Sequence, residues 1–365
     1  MKVLLRGYFA SNLGDDLFIR IISHRYPTTQ FYLECSAMHS LNFQDLSNVT
    51  VITHNRLTLR IRNMLLKMIN YSSLSMRKFD AIVEIGGSIF QQQVMGRFLL
   101  PYRRANVTAF PYFVIGSNFG PYFEKKFVLE HRAFFAHTVG TVFRDKFSYD
   151  LFRDLPNVSY APDVVFNLSV PSNALGQANH GKVLVIAPID LSLSVRANFE
   201  SLVAHKQEYE KNTAKIISKF LEFGEYVQLL PFSMAEGDGE AAKRIKAYVP
   251  EQAQSRVSIL TNLTADQKVS TIADCDYFVG SRFHAMILAW LLQRPSLIIS
   301  YSKKTNHVKS DLFEEQYFMS VSEFSDANLE FDFSQMNTIS PVKLKKIQDL
   351  ARLQFKYLDE FLTSV

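Results

Sequence analysis

The sequence predicts an α/β protein of two successive parallel-sheet domains. Three observations support that expectation. Apolar runs of strand length alternate with amphipathic stretches of helical spacing. The alternation stops at a polar segment, Pro171–Gly181 (PSNALGQANHG), and then starts again. The 365 residues also exceed what one hydrophobic core usually holds, roughly 250–300 residues.

Lys2–Arg6 (KVLLR) reads as a strand entering a glycine-containing loop, and Leu17–Tyr26 has helical spacing. QFYLEC and VTVIT read as strands. Arg56–Ile69 sets Leu57, Leu59, Ile61, Met64, Leu65 and Met68 among arginines and a lysine, the pattern of a basic helix. FDAIVEIGG (Phe79–Gly87) is a strand closing on paired glycines. AFPYFVIGSNFGP is a strand ended by Pro121, with a helix beginning near Phe123. GTVFRD is a strand and Ser148–Leu155 a short helix. After the linker, KVLVIAP, YVQLLPF, RVSIL, DYFVGS and PSLIISY are strands. Asn198–Phe223, Ala235–Tyr248, Ala265–Ala273 and Arg282–Leu292 are the helices between them, and Val342–Leu362 is a charged amphipathic segment. Strand–helix alternation of this kind gives mostly parallel sheets covered on both faces. The expectation is therefore two Rossmann-like domains, residues 1–175 and 176–340, and a C-terminal helix, 341–365.

Composition narrows the function. Hydrophobic residues make up 47% and charged residues 21%, a globular balance. No apolar run approaches the ~20 residues that span a bilayer, and the apolar stretch after Met1 is too short for a secretory leader. Cys35 and Cys275 stand alone, without clustered histidines, so neither a disulfide framework nor a metal site is expected. A cytoplasmic protein is the natural reading. Net charge is +5, and nine basic residues between Arg56 and Arg104 meet only Asp80 and Glu84. A basic region of this kind suits phosphate, anionic lipid or an acidic glycan. Aromatic residues are spread through the strands with no aromatic/basic ladder, which argues against nucleic acid.

Ligands of such sheets bind beyond the carboxyl ends of strands, and four loops there hold unusual residues. GYFASNLGDD offers Asn12, Asp15 and Asp16 as helix caps or as groups facing a cleft, without the spacing of a dinucleotide or Walker loop. EIGGSIF places Gly86 and Gly87 where free backbone N–H groups can meet a ligand or simply let the chain turn. VFRDKFS puts Arg144 at a strand end, with Asp145 to orient it and Ser148 to cap the next helix. VGSRFHAMILAWLLQRP follows a strand with Ser281, Arg282 and His284 at the start of an apolar helix, where the dipole favours an anion. Arginine supplies a planar fork and histidine a proton near neutral pH. Tyr301, Lys303 and Lys304 follow the next strand. Solvated lysines and a helix cap are the plain alternatives for these groups taken singly.

At these loops the sequence resembles the polysaccharide pyruvyltransferase family. The matching segments are GYFASNLGDD, FDAIVEIGGSIF, VIGSNFGP, FRDKFS, APDVVFNL, ADCDYFVGSRFHAMILAWLLQRP and SYSKK, in that order from Gly7 to about Asp311. SRFHAMILAW is similar to the family's Ser-Arg-Leu-His-Ala segment, with Phe283 in the leucine position. The second loop departs from the family, having two glycines where more are usual. The resemblance implies a glycosyltransferase-B-like pair of domains, phosphoenolpyruvate as co-substrate with no further cofactor, and a saccharide acceptor. The product would be a pyruvate ketal on a cell-surface glycan, as in exopolysaccharide or capsule biosynthesis. Donor-site residues carry over to Arg144, Arg282 and His284, with Lys303 or Lys304 and Ser281 beside them. His284 is the expected acid, Asp15 the expected base, and Asn12, Asp16, Gly86 and Gly87 face the acceptor. The two arginines and the imidazole are expected to share one anion pocket. The basic helix has two readings: a core-packed helix with a solvated basic face, or a peripheral contact with the inner face of the plasma membrane, where a lipid-linked acceptor would be found. Two other readings fit the same residues. One is a nucleotide-sugar glycosyltransferase, for which Glu314 or Glu315 would supply the nucleotide-binding acid. The other is a non-catalytic protein that binds anionic glycans.

Overall fold

The strands form because their apolar runs can be buried on both faces of parallel sheets, where continuous hydrophobic stretches replace alternation. The structure is a computed structural model and describes residues 1–9, 12–53, 79–92, 94–170, 181–193 and 199–364. The expected basic helix Arg56–Ile69 and all of the expected linker but Gly181 lie outside the described residues. The chain divides into two compact units, Met1–Leu168 with Gln348–Val365, and Ser169–Ile347.

The first unit contains β1 (Lys2–Arg6), β2 (Gln30–Cys35), β3 (Val49–Thr53), β4 (Ala81–Ile85), β5 (Tyr112–Ser117), β6 (Gly140–Phe143) and β7 (Val158–Tyr160). They join in the order β3-β2-β1-β4-β5-β6-β7, all parallel. Every residue of β4 and β5 is buried. Helices α1 (Leu13–Arg25), α2 (Val94–Val107), α3 (Lys125–Phe135) and α4 (Lys146–Asp150) connect them. One core is built largely of phenylalanine: Phe90, Phe119, Phe127, Phe134, Phe135, Phe143 and Phe152. Each such ring contributes about 1.5–3 kcal/mol by leaving water.

The second unit contains β8 (Val183–Ala187), β9 (Tyr226–Leu229), β10 (Val257–Ile259), β11 (Tyr277–Gly280), β12 (Ser296–Ser300) and β13 (Phe318–Ser320). Their order is β10-β9-β8-β11-β12-β13, again all parallel. Its helices include α5 (Lys206–Phe220), α6 (Asp238–Tyr248), α7 (Ala265–Ala273), α8 (Phe283–Leu291) and α9 (Lys303–Leu312). All nine residues of α8 are buried, as the apolar run Ala285–Leu291 requires.

Several expectations change in detail. The single helix expected over Asn198–Phe223 is two, Phe199–Ala204 and α5, because His205 N–H bonds tightly back to Leu202 O at 3.1 Å. α4 begins earlier than Ser148 because Asp145 is its cap, its Oδ1 accepting from Ser148 N–H at 2.8 Å. Sequence periodicity did not mark α2 or the three-residue β7. The C-terminal segment forms α10 (Pro341–Ala351) and α11 (Lys356–Thr363). Its end packs on the first unit. Phe355 and Leu358 are fully buried, Arg25 and Tyr26 bond Asp359 at 2.6 and 2.7 Å, and Phe361 meets Phe113. Gln354 accepts from Gly116 N–H at 2.9 Å and donates to Ala161 O and Pro162 O at 2.7 and 3.0 Å.

Candidate functional site

In open parallel sheets, ligands bind where the strand order reverses. That point lies between β1 and β4 in the first unit and between β8 and β11 in the second. Three of the loops singled out from sequence end β1, β4 and β11, while the Arg144 loop ends β6 and the Tyr301–Lys304 loop ends β12.

In the first unit, Asn12 caps α1 by accepting from Gly14 N–H at 3.2 Å. Asp15 and Asp16 follow in the first turn, both buried, where the helix dipole favours carboxylates. Asp16 accepts from Asn42 Nδ2 at 3.0 Å. A side chain at Gly7 would collide with the Ile85 carbonyl, and a Cβ at Gly86 would lie 3.7 Å from Asp15 Oδ1. The two glycines thus let the loops after β1 and β4 touch, with the Asp15 carboxylate beside Gly86.

Arg144 and Gly87 also meet. A Cβ on Gly87 would lie 2.7 and 2.8 Å from the two terminal guanidinium nitrogens, so a side chain there would have to push the buried guanidinium aside. The Arg144 side chain is 1% exposed. Nη1 donates to Asp163 Oδ2 at 2.9 Å and Nη2 to Asn118 Oδ1 at 2.7 Å. Asn118 Oδ1 also accepts from Ser88 Oγ at 2.9 Å, and Asn118 N–H donates to Gly87 O at 3.0 Å. Asp163 Oδ1 accepts from Val165 N–H at 2.9 Å. Arg144 therefore ties together the loops after β4, β5 and β7 inside the unit. The cap expected from Ser148 is reversed: Asp145 is the acceptor, and Ser148 Oγ donates to its Oδ2 at 2.9 Å.

A second buried charge sits on β4 itself. Arg103 Nε donates to Glu84 at 2.9 and 3.0 Å, and Tyr112 OH donates to the same carboxylate at 2.8 Å. Arg103 also reaches Ile89 O at 3.1 Å and lies over the Phe90 ring. Burial and the Glu84 charge push the Tyr112 phenol well above its ordinary range. Arg103, counted from sequence as part of a basic region, is an interior residue neutralised by Glu84.

In the second unit, Ser281 follows β11 and shares a 2.8 Å hydrogen bond with Tyr209 OH, which also accepts from Ile189 N–H at 3.2 Å. Burial pushes the Tyr209 phenol up to about 12. Arg282 is the N-cap residue of α8, so His284 stands in its first turn. The Arg282 guanidinium is buried between two carboxylates. Nε donates to Asp238 Oδ2 at 2.9 Å, Nη2 donates to Asp238 Oδ1, and Nη1 to Glu236 Oε2. Burial opposes its charge, but Asp238, Tyr301 and Glu236 outweigh burial, so its pKa is raised and it stays cationic. The Phe283 ring stands edge-on to His284, with centroids 5.1 Å apart, and the Lys304 ammonium lies 5.6 Å from the Phe283 centroid. Lys303 is exposed and Lys304 half-buried at the start of α9. Ser281, Arg282, His284 and Lys304 thus gather at the ends of β11 and β12. Arg144 belongs to the first unit, and Arg282 and His284 to the second.

Sequence reading missed Asn118, Asp163, Glu236, Asp238 and Tyr209. Asp163 lay in the segment APDVVFNL, and Glu236 and Asp238 lay in an acid-and-glycine run after β9, each a signal at a strand end. Glu315, weighed as a nucleotide-binding acid, is exposed and pairs with Lys343 at 3.0 Å. Among the described residues there is no group of metal-binding side chains and no helix long and apolar enough to cross a membrane.

A family model described as "Polysaccharide pyruvyl transferase" matches residues 7–303. The chain belongs to the polysaccharide pyruvyl transferase family. It is 22% identical to the amylovoran biosynthesis protein AmsJ of Erwinia amylovora, with 90% of each chain covered. Among solved structures it is similar to HepE of Anabaena in complex with UDP and glucose, at a TM-score of 0.56 and 12% identity over 100% of both chains. It is also similar to the UDP-GlcNAc 2-epimerase of Methanocaldococcus jannaschii, at 0.56 and 9% identity over 96% of this chain and 92% of that one. These likenesses show the fold: two parallel-sheet α/β domains of the glycosyltransferase-B type. Membership makes this family protein a transferase of polysaccharide biosynthesis, and the family match spans both switch-point loop sets.

Proposed function

We infer that the protein transfers the pyruvyl group of phosphoenolpyruvate to two hydroxyls of a saccharide, forming a cyclic ketal and releasing phosphate. The observation that supports this reading most is the start of α8. Arg282 and His284 stand there at the second unit's switch point, with Lys304 beside them. Phosphoenolpyruvate brings a carboxylate and a phosphate close together. A guanidinium, an ammonium and a helix N-terminus suit such a pair.

His284 donates a proton to the methylene carbon, making carbon-2 electrophilic. One sugar hydroxyl adds there and loses its proton. The second hydroxyl displaces phosphate, which leaves with the bridging oxygen and takes up that hydroxyl's proton, and the ring closes. Arg282 stabilises the charge that develops on the donor. Asp15, beside Gly86, accepts a hydroxyl proton, with Asn12, Asp16, Gly86 and Gly87 around the acceptor. Arg144, bound to Asp163 and Asn118, supports the Gly87–Ser88 loop. In this reading the Arg56–Ile69 segment brings the protein to a membrane holding a lipid-linked acceptor, and liposome flotation with anionic lipid tests that contact.

The central test is phosphate release from phosphoenolpyruvate over galactosyl, glucosyl and N-acetylmannosaminyl acceptors. The expected result is acceptor-dependent release that His284→Ala lowers by about 10²–10⁴-fold, the usual contribution of a positioned acid. Turnover left intact by His284→Ala removes the acid role. Release with none of these acceptors, alongside turnover of a nucleotide sugar, overturns the donor.

A further inference from the structure

Arg282 is the cation through which the donor is held in the reading above, and the present inference rests on that reading. Its guanidinium is engaged along two edges, by two carboxylates that differ in kind. Asp238 opens α6, its side chain is 0% exposed, and it meets Arg282 with both oxygens. Oδ2 also accepts from Ser233 N–H at 2.9 Å. This carboxylate is a fixed, dry counter-ion, and removing it would strand a buried charge. Glu236 meets Nη1 through one oxygen, and its side chain is 22% exposed. It precedes Gly237, whose φ of +82° makes a tight turn into α6. A Cβ there would lie 2.9 Å from Asp190 Oδ2, which Arg244 holds at 3.1 Å. The turn is braced behind Glu236, while its side chain remains partly open to solvent.

We propose that Glu236 is an internal competitor of the donor site: an anionic group of the donor takes the Nη1 edge of Arg282 by displacing it. Binding is then an exchange of one anion for another. A singly charged ligand gains only the difference between two similar ion pairs. A ligand carrying carboxylate and phosphate together gains a second set of contacts that Glu236 cannot supply, from Lys304 and the start of α8. The residue thereby sets a common threshold: a small monoanion, with one pair to gain, does not clear it, whereas the second set of contacts carries phosphoenolpyruvate over it. The step is a ligand exchange, with no bond made or broken and no proton moved.

The test is calorimetric titration of the full chain with phosphoenolpyruvate and with acetate, comparing wild type, Glu236→Gln and Arg282→Met. Losing an exchangeable competitor worth about 1 kcal/mol tightens phosphoenolpyruvate binding about three- to tenfold in Glu236→Gln. Acetate binding tightens by a similar factor, because it displaces the same carboxylate. A gain in affinity cannot come from a damaged fold. Unchanged or weaker binding in Glu236→Gln, with Arg282→Met losing the ligand, overturns the proposal and leaves the donor reading standing. The same tightening for UDP-glucose, with no phosphoenolpyruvate bound by any variant, overturns the donor reading and leaves Glu236 in its role. Binding unaffected by Arg282→Met overturns both.

Discussion

Asp163→Ala strands the Arg144 guanidinium in the interior of the first unit. The side chains of the pair are 1% and 0% exposed, so water cannot take over the lost contact. Removing one partner of such a buried pair costs about 3–5 kcal/mol. Asp163 also caps Val165 N–H at 2.9 Å, and losing that bond adds about 1 kcal/mol. The sum is about 4–6 kcal/mol, and each kcal/mol moves the midpoint of a domain of this size by about 2–4 °C. Hydrogen exchange resolved by peptide is the suitable assay, with β5, β6 and β7 expected to lose protection together. Trp290, the chain's one tryptophan, lies in the second unit, so its fluorescence follows that unit. Asp163→Asn, which keeps a neutral acceptor for Val165, is expected to cost less. The apolar double replacement Arg144→Met with Asp163→Leu recovers most of the loss, because neither charge is then left buried. A loss below about 1 kcal/mol in Asp163→Ala would refute the reasoning.

Two further outcomes follow from buried groups elsewhere. His131 lies among Phe90, Phe119, Phe127 and Phe135, and burial pushes its pKa down to about 4 from 6.5. The unfolded chain takes up a proton that the folded chain refuses, so stability is full above about pH 6.5 and falls towards pH 4, by up to about 3 kcal/mol. Urea unfolding at several pH values should show this slope, and His131→Phe should flatten it; a slope unchanged by that substitution counts against the assignment. A side chain at Gly140 would collide with the Tyr357 ring. Gly140→Ala should therefore loosen α11 at a cost of about 1–3 kcal/mol, read as faster exchange over 348–364. Full protection there would show that Tyr357 moves aside freely.

The strands were the most legible part of the chain, since a parallel sheet buried on both faces leaves continuous apolar runs. β1, β2 and β3 match the sequence expectation residue for residue. The site was legible as positions. Gly86, Gly87, Arg144 and Arg282 all follow strands, and all stand where the sheets place them, at strand ends. What could not be read was pairing. Arg144 and Asp163 are separated by a helix and a strand, and Arg282 and Asp238 by two of each. No local periodicity records that a carboxylate from one loop will neutralise an arginine from another. The same gap misplaced Arg103, whose partner Glu84 lies on the far side of a loop and most of a helix. Charge counted along the chain gave a basic region, whereas charge counted in space finds a neutral interior pair.

The return of the chain to its first unit sets an order of assembly. Residues 169–347 form a contiguous stretch, so that sheet can close while synthesis is still under way. The earlier-made sheet cannot be finished until Gln354 has emerged to satisfy Gly116, Ala161 and Pro162, the last of these adjoining Asp163. The half of the protein translated first is therefore completed last. A fragment ending at Leu168 would lack the side chain that anchors the backbone next to the Arg144 partner, and would leave a hydrophobic seat for Phe355 and Leu358 open to solvent.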